Sequence, residues 1–289
     1  MGEYILGVIG GSGVYDIDGL EGAEWQAVET PWGTPSDQIL CGTLEGIPVR
    51  FLPRHGRGHV QTPSSINYRA NIDALKQLGC TDVLSVSACG SLKEDLPPGH
   101  FVIVDQFIDR TFAREKSFFG PGCVAHVSMA HPVSSWLGDR CAAALKDLDI
   151  AHQRGGTYLA MEGPQFSTVA ESELYRSWGC DVIGMTNMPE AKLAREAELR
   201  YATLAMVTDF DCWHPDHENV DVGMVIKTLL DNADKARAVV KCVAQTLAQV
   251  QERPADGCDT ALENALITHA DKRDAALVKK LQTVAGRVL

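Results

Sequence analysis

Short apolar runs alternate with longer amphipathic segments along most of this chain, and that alternation restricts the fold more than any other feature. The runs at 4–9, 82–88, 101–107, 155–161, 182–185 and 201–208 have strand length and read as buried strands. Segments 64–78, 134–148, 170–178, 189–198 and 222–251 read as helices; in the first, Ile66, Ala70, Ala74 and Leu78 recur on one face and Gly79 follows as a stop. Strands alternating with helices predict an α/β fold with a mostly parallel central sheet. Segments 38–44 and 48–53, separated by Glu45-Gly46, predict a hairpin. A seam is expected over 252–257. Beyond it, 260–268 and 272–284 predict two short helices, so the chain divides into a body (1–252) and a helical extension (253–289) that packs on the body or on a neighbouring subunit.

Charge narrows the function. The net charge is −12, and Lys and Arg are dispersed rather than gathered on a face, which argues against a nucleic-acid partner. A pocket for one small anion needs only an Arg and a few backbone N–H groups, and remains open. The nine cysteines contain no C-x-x-C pair, the first residues carry no basic leader, and no apolar run approaches the ~18 residues of a membrane span. These features predict reduced thiols, a cytoplasmic location and no membrane association.

Five segments have the composition to carry chemistry. Gly10-Gly11-Ser12-Gly13 ends a strand with flexible backbone and a hydroxyl, which suits an anion or a plain turn. The loop from Arg54 to His59 offers Arg54 and His55 as anion donors; a metal held by His55 and His59, or a solvated basic loop, are the other readings. The strand end Ser87-Ala88-Cys89-Gly90-Ser91 can direct N–H groups at an anion or serve close packing. Met161 to Phe166 combines a carboxylate, a Gly-Pro turn and a ring that suits stacking on a flat heterocycle or filling a core. Thr208-Asp209-Phe210-Asp211 places two carboxylates on one side of an extended chain, where like charges raise at least one pKa and create a general acid. Exposed loop acids would show the same pattern.

In order along the chain, the strings GVIGGSGVYD, TPWGTPSD, RHGRGH, NYRANIDALKQLGC, ACGSL, DQFIDRT, EGPQFST, GMTNMPEAKLAREA and TDFDCW resemble the trimeric purine nucleoside phosphorylases, in particular the branch that takes 5′-methylthioadenosine. The resemblance runs from about Ile5 to Val250. It implies a single-domain α/β fold with a distorted mixed central sheet flanked by helices, a homotrimer, a site near a subunit interface, and phosphorolysis with inorganic phosphate as co-substrate and no cofactor or metal. It implies a phosphate site of Ser12, Arg54, His55, Ser87, Ala88 and Thr186, with Ser at 12 and 87 where the family often has Thr. It also implies a base site of Phe166, Thr208, Asp209 and Asp211, with the two acids catalytic. Met185 would lie under the ribose, Val222, Val225 and Ile226 would form the 5′ pocket, and His126 would come from the neighbour. Relatives acting on 6-oxopurines carry Asn at the position of Asp209, and those acting on unsubstituted nucleosides tend to carry His at that of Val222. The expected reaction is cleavage of 5′-methylthioadenosine; 5′-deoxyadenosine, methylthioinosine and a non-catalytic nucleoside-binding role are the alternatives.

Overall fold

The computed structural model describes residues 4–11, 13–14, 16–215, 222–252 and 255–289, without the side chains of residues 222, 224–227, 229 and 231. In chain order its elements are β1 (Leu6–Gly10), β2 (Glu21–Gln26), β3 (Ile39–Leu44), β4 (Ile47–Pro53), α1 (Tyr68–Gln77), β5 (Asp82–Ser91), β6 (Phe101–Val104), β7 (Gln106–Asp109), α2 (Ser135–Asp147), β8 (His152–Arg154), β9 (Thr157–Ala160), α3 (Val169–Ser177), β10 (Val182–Gly184), α4 (Glu190–Glu196), β11 (Arg200–Asp209), α5 (Val222–Ala248) and α6 (Ala275–Ala285).

Glu45 and Gly46, at φ 51° and 84°, make the two-residue turn that joins β3 to β4. Left-handed backbone at both positions matches the twist of the flanking strands. The strands form one 11-stranded mixed sheet. β1 lies parallel between β4 and β5, and β11 runs parallel to β5 on the far side. β10 pairs antiparallel with β5, and β6 antiparallel with β11, so the sheet is mixed, as the resemblance implies, while parallel pairings remain the majority, as the strand–helix alternation predicts.

Side chains alternate along the central strands into two cores. Leu6, Val8, Leu84 and Val86 face α2 and α5, while Ile9, Val83 and Cys89 face the layer built by α1, α4 and α6. α2 and α5 each bury one stripe against the sheet, which is why their apolar residues recur with helical period.

Several elements differ from their predicted form for local reasons. α1 begins at Tyr68 rather than at residue 64, because the Asn67 side chain accepts from the Ala70 N–H at 3.1 Å and caps the helix there. The run 101–107 is two strands. Asp105 interrupts it by accepting from Gly156 N at 3.0 Å, while the N–H groups of Asp105 and Gln106 both bond Gly156 O. The run 155–161 likewise yields β9, with β8 just before it. β2 has no buried face and was not predicted.

The C-terminal extension joins the body's own core. Leu262, Ala265, Leu281, Val284 and Ala285 belong to the cluster that contains Ile72 and Leu193. Arg200, almost wholly buried, bonds Asp259 at 2.9 Å and reaches Asp256, and Arg287 bonds Glu198 at 2.7 Å. The predicted helix 260–268 is corrected to successive turns and a bridge from Leu266 to Ala125, whereas the second predicted helix is α6. In the segment 260–268 the N–H groups of Ala261, Glu263 and Ala265 make local turn bonds three residues back, while those of Leu262 and Ile267 go to Glu198 and Val124 O of the body, so no helical ladder runs through it. Leu281 is fully buried, so Leu281→Ala should lower unfolding stability by roughly 2–5 kcal/mol, read as a shift of the urea midpoint.

Candidate active site

The parallel strands β1, β4, β5 and β11 end on one edge of the sheet, where α/β folds leave a crevice. A cavity of about 720 Å³ opens there. Its walls contain Arg54 and His55 after β4, Ser87 and Ala88 in β5, Phe166 after β9, Met185 and Thr186 after β10, and Thr208, Asp209 and Asp211 at the end of β11. Residues drawn from across the sequence therefore converge on a single site. Of the remaining predicted residues, Ser12 and the side chains of Val222, Val225 and Ile226 lie outside the described residues. His126 is exposed, with its backbone N–H on Ala265 O, and does not line the cavity of its own chain.

At one end the groups suit an anion. Arg54 is buried and charged, and its guanidinium is pinned on several sides. Nε and Nη2 grip Glu190 at 2.9 and 3.1 Å, Nη2 also reaches Ser85 Oγ at 2.6 Å, and Nη1 donates to Val86 O at 3.0 Å. His55 donates from Nδ1 to Gln61 O at 3.0 Å, and its ring stacks on His59. Burial, followed by the neighbouring Arg54 charge, pushes the His55 pKa down to about 4, so the ring is neutral near pH 7. Ser87 and Thr186 share a 2.5 Å hydroxyl contact, and Tyr158 reaches the Thr186 hydroxyl at 3.2 Å. Among the described residues no cluster of three His, Cys, Asp or Glu side chains has the geometry to hold a metal ion.

The other end is acidic and buried. β11 carries a bulge between Val207 and Asp209, which shifts the strand register and sets Asp209 opposite Gly90. Bulges of this kind re-aim a side chain at a strand end. The space is made by Gly90 itself, because a Cβ there would stand 2.8 Å from Asp209 Oδ1. Asp209 accepts from Thr208 Oγ1 at 2.7 Å and from the Asp211 N–H at 2.8 Å. Asp211 holds left-handed backbone at φ 51° and keeps Oδ2 buried without a hydrogen-bond partner. Burial pushes the Asp209 pKa up, and the Asp211 charge adds to the shift; burial likewise raises Asp211. The shift expected from paired charges is present, with desolvation as its larger cause. Phe166, 42% exposed, stands at the rim of the cavity.

Three buried residues that organise these walls carried no distinguishing pattern in the sequence. Arg114 donates to Met185 O at 2.8 Å, Met188 O at 2.6 Å and Glu162 O at 2.8 Å, tying the segment after β9 to the segment after β10. Glu190 holds Arg54, and Tyr201 donates to Glu190 Oε1 at 2.8 Å. In sequence, Glu190 looks like any acid in the first turn of a helix, and Arg114 like any loop cation.

A crevice at the carboxyl ends of parallel strands, anion donors at one end and a buried carboxyl pair at the other, is the architecture of an α/β group-transfer enzyme. The chain belongs to the Phosphorylase superfamily, which residues 5–248 match. It is 70% identical to the S-methyl-5′-thioadenosine phosphorylase of Rhodospirillum rubrum over 99% of this chain and 97% of that one, and 63% identical to that of Cereibacter sphaeroides over 99% and 98%. Its structure is similar to that of a methylthioadenosine phosphorylase from an antarctic soil metagenomic library, with a TM-score of 0.91 at 48% identity, covering 98% of this chain and 99% of that one. It is also similar to the methylthioadenosine phosphorylase of Schistosoma mansoni in complex with adenine, with a TM-score of 0.84 at 36% identity over 89% and 96%.

The raised Asp209 pKa has a consequence for stability. A carboxyl whose folded pKa lies above its ordinary value of 3.8 weakens the fold as pH rises through that pKa, and costs nothing once it is protonated in both states. Asp209→Asn keeps the shape and removes the buried charge. At about pH 8 the variant should melt above the parent in a thermal denaturation, and the gap should close as the pH falls towards about 4.

Proposed function

We propose that the protein cleaves 5′-methylthioadenosine with inorganic phosphate, giving adenine and 5-methylthioribose 1-phosphate. The observation that carries the reading is the buried Asp209–Asp211 pair in the same cavity as Arg54, His55, Ser87 and Thr186. Names of relatives 70% and 63% identical to this chain support it.

Adenine leaves poorly as an anion. In the proposed reaction Asp209 supplies a proton to N7 as the bond from the anomeric carbon to N9 breaks, and the bonding pair stays with the base. The ribosyl group gains oxocarbenium character. Phosphate, held by Arg54, Ser12, Ser87, Thr186 and the Ala88 N–H with His55 beside it, adds an oxygen to that carbon. The proton that phosphate loses on forming the bond restores the acid over one cycle. Phe166 stacks on the base, Met185 underlies the ribose, and Val222, Val225 and Ile226 accept the methylthio group. A 5′-hydroxyl in that apolar pocket would lose its water without a partner, at a cost of about 1–3 kcal/mol. No cofactor or metal is required; positioning and preorganised charge account for catalysis.

We further propose a homotrimer in the cytoplasm, with His126 reaching a neighbour's site. Phe112 is 82% exposed and Val169 56%, and Leu174 and Trp178 are exposed on or just past α3, a set of apolar side chains that association would cover. The cysteines are all free, as a reducing compartment keeps them, and no helix among the described residues is long and apolar enough to cross a membrane.

The test is a panel of 5′-methylthioadenosine, 5′-deoxyadenosine, adenosine and methylthioinosine, each with phosphate present and absent. Adenine release from the first should need phosphate and exceed that from adenosine; release without phosphate would instead indicate a hydrolase. Asp209→Ala should lower kcat/KM for 5′-methylthioadenosine by about 100-fold or more, and near-normal turnover would remove Asp209 from the acid role.

A further inference from the structure

Among the described residues lining the cavity, Arg54 is the one Arg or Lys side chain. His55 and Ser87 bring no charge. Among these walls Arg54 is therefore the formal positive charge that a bound phosphate meets, yet Arg54 already has a counter-ion. Glu190 lies directly behind it, 1% exposed, with both carboxylate oxygens on the guanidinium. Glu190 is not itself a cavity wall. Its charge is held in place by Tyr201, whose hydroxyl bonds Oε1, and by the Ser85–Asn187 contact beside it at 2.8 Å.

The donor inventory points the same way. Nε and Nη2 are committed to Glu190, Ser85 and Ile9 O, and Nη1 gives one contact, to Val86 O. A guanidinium has two N–H groups on Nη1, so one remains for a ligand. An incoming phosphate meets one N–H of an arginine whose charge is already balanced, with a second anion on the far side.

We propose that Glu190 is a positioning residue and internal counter-ion that deliberately limits phosphate affinity: it orients Arg54 towards the cavity and, by its charge, keeps the bound phosphate and the phosphorylated sugar releasable. This rests on the phosphate site proposed above. Both anions contact the same guanidinium, so their mutual repulsion acts across a few ångströms of protein, where it is worth about tenfold or more in binding. Removing the carboxylate charge while keeping its shape should tighten phosphate rather than weaken it, which a purely structural role does not predict.

The experiment uses the full chain with Glu190→Gln. Phosphate KM should fall about tenfold while the nucleoside KM changes less than about twofold, and kcat should fall because the phosphorylated product leaves more slowly. Without phosphate the variant should melt below the parent, since Arg54 is left unpaired. Added phosphate should raise its melting temperature more steeply than it raises the parent's. An unchanged or raised phosphate KM, a parallel rise of both KM values, or a failure to fold even in concentrated phosphate would each overturn the proposal. Tyr201→Phe serves as a control that disturbs the same network without changing its charge, and tightening of phosphate there would also overturn it. Arg54→Met separates this idea from the site assignment. If that variant leaves the phosphate KM unchanged, the phosphate site lies elsewhere; if it raises the KM while Glu190→Gln does not lower it, only the counter-ion role fails.

Discussion

The buried contact between Arg54 and Glu190 is the point on which the site is built. Two opposite charges have been taken out of water, which is unfavourable unless each is fully met by its surroundings. Here the surroundings are the sheet itself. Arg54 follows β4 and touches the carbonyls of Ile9 on β1 and Val86 on β5, while Glu190 opens α4 and takes the hydroxyl of Tyr201 from β11. Burial pushes the Glu190 carboxyl up, but the Arg54 charge and hydrogen bonds overcome it and hold the group ionised below its usual range. Removing either partner would strand a charge in the interior. The pair thus holds four strands and a helix in one arrangement behind the cavity wall.

Arg114 does the corresponding work for the nucleoside end. It makes no contact with the Arg54 network, and its donors go to backbone carbonyls of two loops instead of to a carboxylate alone. A carbonyl set fixes loop position without adding negative charge beside the acids. That matters because Asp209 and Asp211 are already raised by burial, and a further buried carboxylate against them would raise them more. Glu162, the carboxylate that reaches Arg114 at 3.7 Å, is itself held by the Phe112 N–H at 2.6 Å and by Ser64.

What the sequence makes legible follows from how far each signal reaches. Strands and helices with one packed stripe declare themselves locally, so β1, β5, β11, α2 and α5 fall close to their predicted places. Loops rich in Gly, Ser, Arg and Asp mark the strand ends, and the structure brings those described residues into one cavity. Features that depend on a distant partner leave no local trace. The break at Asp105 is made by Gly156, and residues 260–268 forgo a helix because Glu198 captures the Leu262 N–H. Glu190 and Arg114 stand 136 and 48 residues from partners that define them, so neither periodicity nor spacing identifies them. Exposed β2 lacks the apolar face by which a strand is recognised.

The two ends of the cavity are therefore tuned by opposite uses of burial. At the phosphate end, desolvation is offset by pairing, so Arg54 stays charged and His55 is driven neutral beside it. At the acid end, desolvation is left uncompensated, since Asp209 has a hydroxyl and one N–H but no cation, and its pKa rises. That rise favours the protonated carboxyl, which is the form that can donate to a basic ring nitrogen. Had a lysine or arginine stood beside Asp209, the fold would be firmer and the acid would be lost. The bulge in β11 sets Asp209 against Gly90, on the same strand whose Tyr201 bonds Glu190 at the other end.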